Sequence, residues 1–163
     1  MTGIVQASYG LNHDAAFVGM VADDQLANIV SKLNTDTAII PYGKGVVADG
    51  EGGAKLPATG TVAANFVGVS VRELNRSYTA NDAFGAIVKK DFSVMTVGVI
   101  WVKVLEAVVA RDPAFLRIGA TNPGDFCKTA GTGATESIAI PGAKFLTSAA
   151  SGGLAKVSFV VGG

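Results

Sequence analysis

From residue 37 onward, apolar and polar positions alternate in short runs separated by turns. In "NFVGVSVREL", Phe66, Gly68, Ser70 and Arg72 fall on one face of a strand and Val67, Val69 and Val71 on the other. Similar runs are "TAIIPYG", "GVVADG", "FGAIVKK", "PAFLRIG", "DFCKT", "ESIAIPG", "AKFLTSA" and "LAKVSFVV". The run "SVMTVGVIWVKVLEAVV" is long enough for two strands or for one strand bent at Gly98. Turn signals stand between the runs at Asp49-Gly50, Asn122-Pro123-Gly124, Pro141-Gly142 and Gly152-Gly153. About nine short strands at this spacing predict a mainly β domain, a compact β-barrel or sandwich, with a jelly roll among the arrangements allowed.

One segment has a different period. In "VADDQLANIVSKLN", Leu26, Ile29, Val30 and Leu33 fall at i, i+3, i+4 and i+7, one helical stripe. This predicts one short N-terminal α-helix at about residues 23–33, with Asp23 capping its first turn and Asn34 ending it. Residues 1–20 show neither period, yet they carry Ile4, Val5, Tyr9, Leu11, Phe17 and Val18. A purely solvated tail would not hold so many large apolar residues. They read as an N-terminal arm that orders on a neighbouring subunit, ahead of a single β-rich domain over residues 21–163.

Composition sharpens this picture. At 163 residues the chain can bury a core without staples. Hydrophobic residues make up 49% and charged residues 16%, with a mean hydropathy of +0.42. That excess reads either as surface meant for another chain, hence a homo-oligomer (dimer or trimer) or an apolar partner, or as a glycine- and alanine-rich composition that scores as apolar without large patches. Thirteen basic residues balance thirteen acidic ones without a basic cluster, which argues against nucleic acid as a partner. The most apolar run, Val94 to Ala110, is interrupted by Lys103 and Glu106 and falls short of a membrane span, so no membrane partner is expected. No secretory signal is visible at the start, and the one cysteine excludes an internal disulfide framework.

The stretch "IPYGKGVVADGEGGAKLP" (40–57) invites a test as a phosphate or metal loop, since it holds five glycines, two lysines and two acids. A P-loop needs Ser or Thr after its lysine, and Lys44 is followed by Gly45. A dinucleotide loop must open a helix, and none is signalled here. The segment "DGEGG" lacks the alternating oxygen ligands of a calcium loop. A strand, a glycine-permitted turn, a second strand and an exposed tip at residues 49–53 account for it. His13, the sole histidine, has no orienting partner beyond its neighbour Asp14. Cys127 reads as a small buried strand residue, Trp101 as core, and Asp23-Asp24 as a solvated helix start. The sequon Asn75-Arg76-Ser77 carries no meaning without a secretory signal. No catalytic, cofactor or metal site is visible, and the chain is not expected to be an enzyme.

Four stretches together resemble the small structural cement (head decoration) proteins of tailed-phage capsids. They are "GMVADDQLANIVSKLN" (19–34), "AIIPYGKGVVADGEGGAKLP" (38–57), "GVIWVKVLEAVVARDPAFLR" (98–117) and "PGAKFLTSAASGGL" (141–154). Their order and spacing carry the resemblance, since no single one is a signature. The resemblance implies a virion protein made in the host bacterial cytoplasm and placed on the outer capsid surface. Its partner would be the major capsid protein, whose subunits it would bridge, with no cofactor and no reaction. The alternatives are another phage virion component, such as a head–tail or tail protein, a β-barrel carbohydrate-binding module, or a small β-barrel enzyme with a scattered site.

Overall fold

The computed structural model describes residues 16–23, 26–73 and 85–160. It is mainly β, as the alternation predicts. Eleven strands follow in order: β1 (Asn28–Asn34), β2 (Ile40–Pro41), β3 (Gly45–Asp49), β4 (Gly53–Lys55), β5 (Phe66–Ser70), β6 (Gly85–Ala86), β7 (Asp91–Lys103), β8 (Pro113–Arg117), β9 (Phe126–Cys127), β10 (Ser137–Phe145) and β11 (Leu154–Val160). Two single 3-10 turns, Ala63–Asn65 and Gly133–Thr135, are the helical pieces among the described residues.

The nine-stranded sheet runs β1-β4-β3-β5-β7-β11-β10-β8-β9, and β1 also pairs with β7. That pairing closes β1, β4, β3, β5 and β7 into a five-stranded barrel. The long strand β7 serves both halves of the molecule. Asp91 to Val97 pair with β1, and Val97 to Lys103 pair with β11. The change of partner falls beside Gly98, whose φ of +137° suits glycine. "SVMTVGVIWVKVLEAVV" therefore contains one bent strand, with the bend at the glycine.

Two cores result. The inner one fills the barrel with Ile40, Val46, Ala54, Ala86, Phe92 and Val94. The larger one lies between the outer wall of β3 and β5 and the extension β11-β10-β8-β9. It includes Val47, Phe66 and Val69 from the wall, and Val157, Phe159, Phe145 and Leu116 from the extension. Phe66 and Phe159 meet edge to face, with ring centroids 5.9 Å apart. Neighbouring residues of one strand serve opposite cores, Val46 the inner and Val47 the outer, which is why "GVVAD" reads as continuously apolar.

Three expectations are corrected. The α-helix at 23–33 is absent: residues 28–34 form β1, held antiparallel by β7 and parallel by β4. Residues 24–25 lie outside the described residues. Spacing i, i+3, i+4, i+7 also distributes residues over both faces of a strand. Ile29 and Leu33 point one way and Val30 the other, and pairing on two sides overrides a weak helical preference. Asp23 does not cap a helix; its Oδ1 lies 3.3 Å from Lys156 Nζ. Asn34 does not end a helix; it is fully buried and donates through Nδ2 to Ala86 O at 2.9 Å.

The second correction concerns β5. A bulge pairs Val46 with Gly68 but Val47 with Phe66. Skipping Val67 turns Phe66 onto the same side as Val69 and Val71, all in the outer core. The third concerns Pro141-Gly142, which is not a turn between strands. Both residues lie within β10, at an irregularity between Ala139 and Lys144 in its pairing with β8. Gly142 has φ +74°, so the positive-φ signal marks a bulge in place of a turn.

Candidate interaction surface

Sequence reasoning finds no catalytic constellation, and the described residues hold no group of three or more His, Cys, Asp or Glu able to bind a metal. Cys127 is fully buried in β9, its Sγ 3.1 Å from Ser137 Oγ, as the small buried strand residue predicted. Trp101 departs from expectation. It is half-buried, and the Lys156 ammonium stands 5.4 Å from its ring centroid. His13, Asp24 and the sequon 75–77 lie outside the described residues, as do residues 1–15 of the arm. Residues 19–22 run along β7: Gly19 N donates to Trp101 O at 2.8 Å, and Val21 bridges Ile100. Among the described residues no helix is long and apolar enough to cross a membrane.

The surface carries large apolar side chains. Leu26 is 89% exposed, and Ile29 and Leu33 about half as much, all from the stretch that mimics a helical stripe. Val160, whose partner Val97 also pairs with Asn28, is exposed as well. β1 is thus inverted relative to an ordinary surface strand. Asn34 is turned inward and buried, while Ile29 and Leu33 face outward.

The stretch 40–57 folds as β2, a turn, β3, an exposed tip and the third strand β4. Gly43 has φ +73°, and a Cβ there would collide with Val18 and with the backbone of Gly19. Its freedom serves packing of the preceding segment. At the tip, Lys55 Nζ lies 2.8 Å from Asp49 Oδ1. That hydrogen bond, with a smaller contribution from Thr35, holds the Asp49 carboxyl below its ordinary value, and the same contact raises Lys55.

One side of this stretch borders a pocket of about 340 Å³. Tyr42 and Lys44 line it from the turn, Arg72 from the end of β5's segment, and Lys103 from the end of β7. Asn122 and Asp125 come from the loop between β8 and β9. Lys44 Nζ is 2.7 Å from Asp125 Oδ1, and the Asp125 side chain is 5% exposed. Arg72 lies over the Phe17 ring at 4.7 Å. These residues span some eighty positions, so no sequence motif could join them. The one local signal was the Asn122-Pro123-Gly124 turn, which places Asn122 at φ +56°.

Residues 5–160 match the family model described as "Structural cement protein (E217 gp24/Pam3 gp6)" of phages. The chain belongs to this family of phage structural cement proteins. The match runs through the barrel and the extension alike, so the cement assignment covers the whole described fold. A solved chain from "The capsid of Myoviridae Phage XM1" has the same fold, with a TM-score of 0.73 at 15% identity over 97% of this chain and 98% of that one. No curated protein matches. As a phage structural cement protein, the chain has a capsid-associated, structural role in the virion.

Proposed function

We propose that this cement protein binds the outer surface of an assembled phage capsid and stabilises it by bridging subunits of the major capsid protein. The observation that carries the reading is the family match along residues 5–160. The outward apolar residues of β1 and of the segment just before it support it, because a lone domain gains nothing by exposing Leu26, Ile29 and Leu33. The protein acts as a homo-oligomer. Of the arm expected over residues 1–20, residues 19 and 20 bond to Trp101 of the same chain, so the part proposed to order on a neighbour is the part before residue 16. A ligand of the assembled lattice alone stabilises it by RT ln(1 + [L]/Kd) per site, about 2.7 kcal/mol at 100 Kd. Bridging raises the effective concentration of the second contact, so modest patches suffice when repeated.

The test uses expanded heads that lack this protein. Adding purified protein should give saturable, stoichiometric binding and a higher temperature of head disruption. Unexpanded heads should bind it weakly. Absence of binding to expanded heads at tens of micromolar protein would refute the reading.

A further inference from the structure

The pocket beside the 40–57 stretch has a chemistry that the apolar face does not. Among the described residues three cations line it, Lys44, Arg72 and Lys103, with one acid, Asp125. Asp125 is committed to Lys44 at 2.7 Å. Lys103 is exposed and has no side-chain partner among the described residues, and the same holds for the Asn122 amide. With Lys44 and Asp125 paired, the pocket therefore presents the Lys103 ammonium and an unengaged amide.

Which anion fits follows from the backbone. A phosphate cradle needs amide groups converging on the ligand. Here the amides of the 43–45 turn and of residues 124–125 are spent inside the fold. Gly43 N donates to Ser70 O at 2.8 Å, Lys44 N to Ser70 Oγ at 3.1 Å, and Gly45 N to Gly124 O at 2.8 Å. Gly124 N and Asp125 N donate to Arg117 O and Asn122 O. What remains is side-chain cations beside the apolar walls of Val18, Pro41 and Tyr42. An acidic side chain, with an aliphatic stem and a single carboxylate, matches that combination.

We infer that this pocket receives one Asp or Glu side chain of the bound protein partner, with the Lys103 ammonium and the Asn122 amide as the contacting groups. That the partner is the capsid protein rests on the function proposed above; the carboxylate preference does not. Charge complementarity of this kind fixes register between the two surfaces and raises the association rate more than it adds affinity.

The test has two arms. The isolated protein is titrated at low salt with acetyl-Gly-Glu-Gly-amide, its Gln counterpart and inorganic phosphate, followed by amide chemical shifts. The Glu peptide should move Tyr42, Lys103 and Asn122 saturably, with a Kd on the order of millimolar. The Gln peptide should not, and Lys103→Gln should abolish the response. No response, an equal response to the Gln peptide, or tighter binding of phosphate would overturn the inference. In the second arm Lys103→Glu, at an unchanged thermal midpoint, should weaken binding to expanded heads by about tenfold. Unchanged head binding would also overturn it. If wild-type protein ignores heads, the proposed function fails, and the peptide titration still decides the pocket.

Discussion

Strands β1 and β11 are each seven residues long, and both lie antiparallel on the same strand β7. Their side chains are arranged in opposite senses. β11 buries Ala155, Val157 and Phe159 in the outer core and turns Lys156 and Ser158 toward the surface. β1 buries Asn34 and half-buries Val30, and it turns Ile29 and Leu33 outward. β11 spends Ala155, Val157 and Phe159 on the fold and leaves Val160 at its end exposed. β1 closes the barrel through backbone pairing and Asn34, and leaves its large apolar residues available to another surface. The difference separates what holds this domain together from what it leaves on its surface, which is where the proposed partner contact lies.

The sharpest way to break the comparison is to truncate each strand in turn. Phe159→Ala removes a ring that is 2% exposed and packs on Phe66. It should cost about 3–5 kcal/mol in urea unfolding. Asn34→Ala comes next. Asn34 Nδ2 donates to Ala86 O, and Asn34 Oδ1 accepts from Asp36 N at 2.9 Å. Losing both leaves buried backbone groups unpaired, and the same assay should show about 1–3 kcal/mol. A result below that range would mean that β1 is not anchored by its polar residue.

The double substitution Ile29→Ser and Leu33→Ser should behave differently. Both side chains are roughly two-fifths exposed, so unfolding should shift by no more than about 1 kcal/mol. Binding to expanded heads should fall by at least about tenfold, equivalent to about 1.4 kcal/mol. A large loss of stability with head binding intact would reverse the assignment of the two strands.

The smallest effect is at the tip beside β1, where Asp49 meets Lys55. The lowered Asp49 pKa means that its contribution to stability is present above the ordinary carboxylate value of 3.8 and is lost as pH falls through the lower folded value. Lys55, raised from 10.5, contributes below that pH and loses its contribution as pH rises through the raised value. Both groups are solvent-exposed, so salt screens the pair. Thermal melts of Asp49→Asn and wild type should differ slightly at pH 7, and the difference should shrink in acid and in high salt.

How much of this was legible in the chain depends on which signal each segment carried. Alternation in β11 and turn chemistry at Asp49-Gly50 and Gly152-Gly153 were local, and the strands and turns lie where those signals put them. Gly98 marked its own bend because its φ is needed there. β1 misleads because, Val30 apart, its large apolar residues do not serve the fold. Leu26, Ile29 and Leu33 repeat at a spacing that a helix would use for a core, and nothing local says that they stay exposed. Simple alternation puts Phe66 on the wrong side, because a bulge depends on the pairing partner, not on the strand's own sequence. The pocket was invisible for the same reason: Tyr42, Lys103 and Asn122 converge only when the extension folds back on the barrel.

The most direct test of the account is an image reconstruction of expanded heads decorated with this protein. The account predicts density for the domain on the outer shell, touching at least two capsid subunits, with the outward side of β1 against a protein surface. Density confined to the neck, tail or shell interior, or a β1 face open to solvent at every copy, would contradict it.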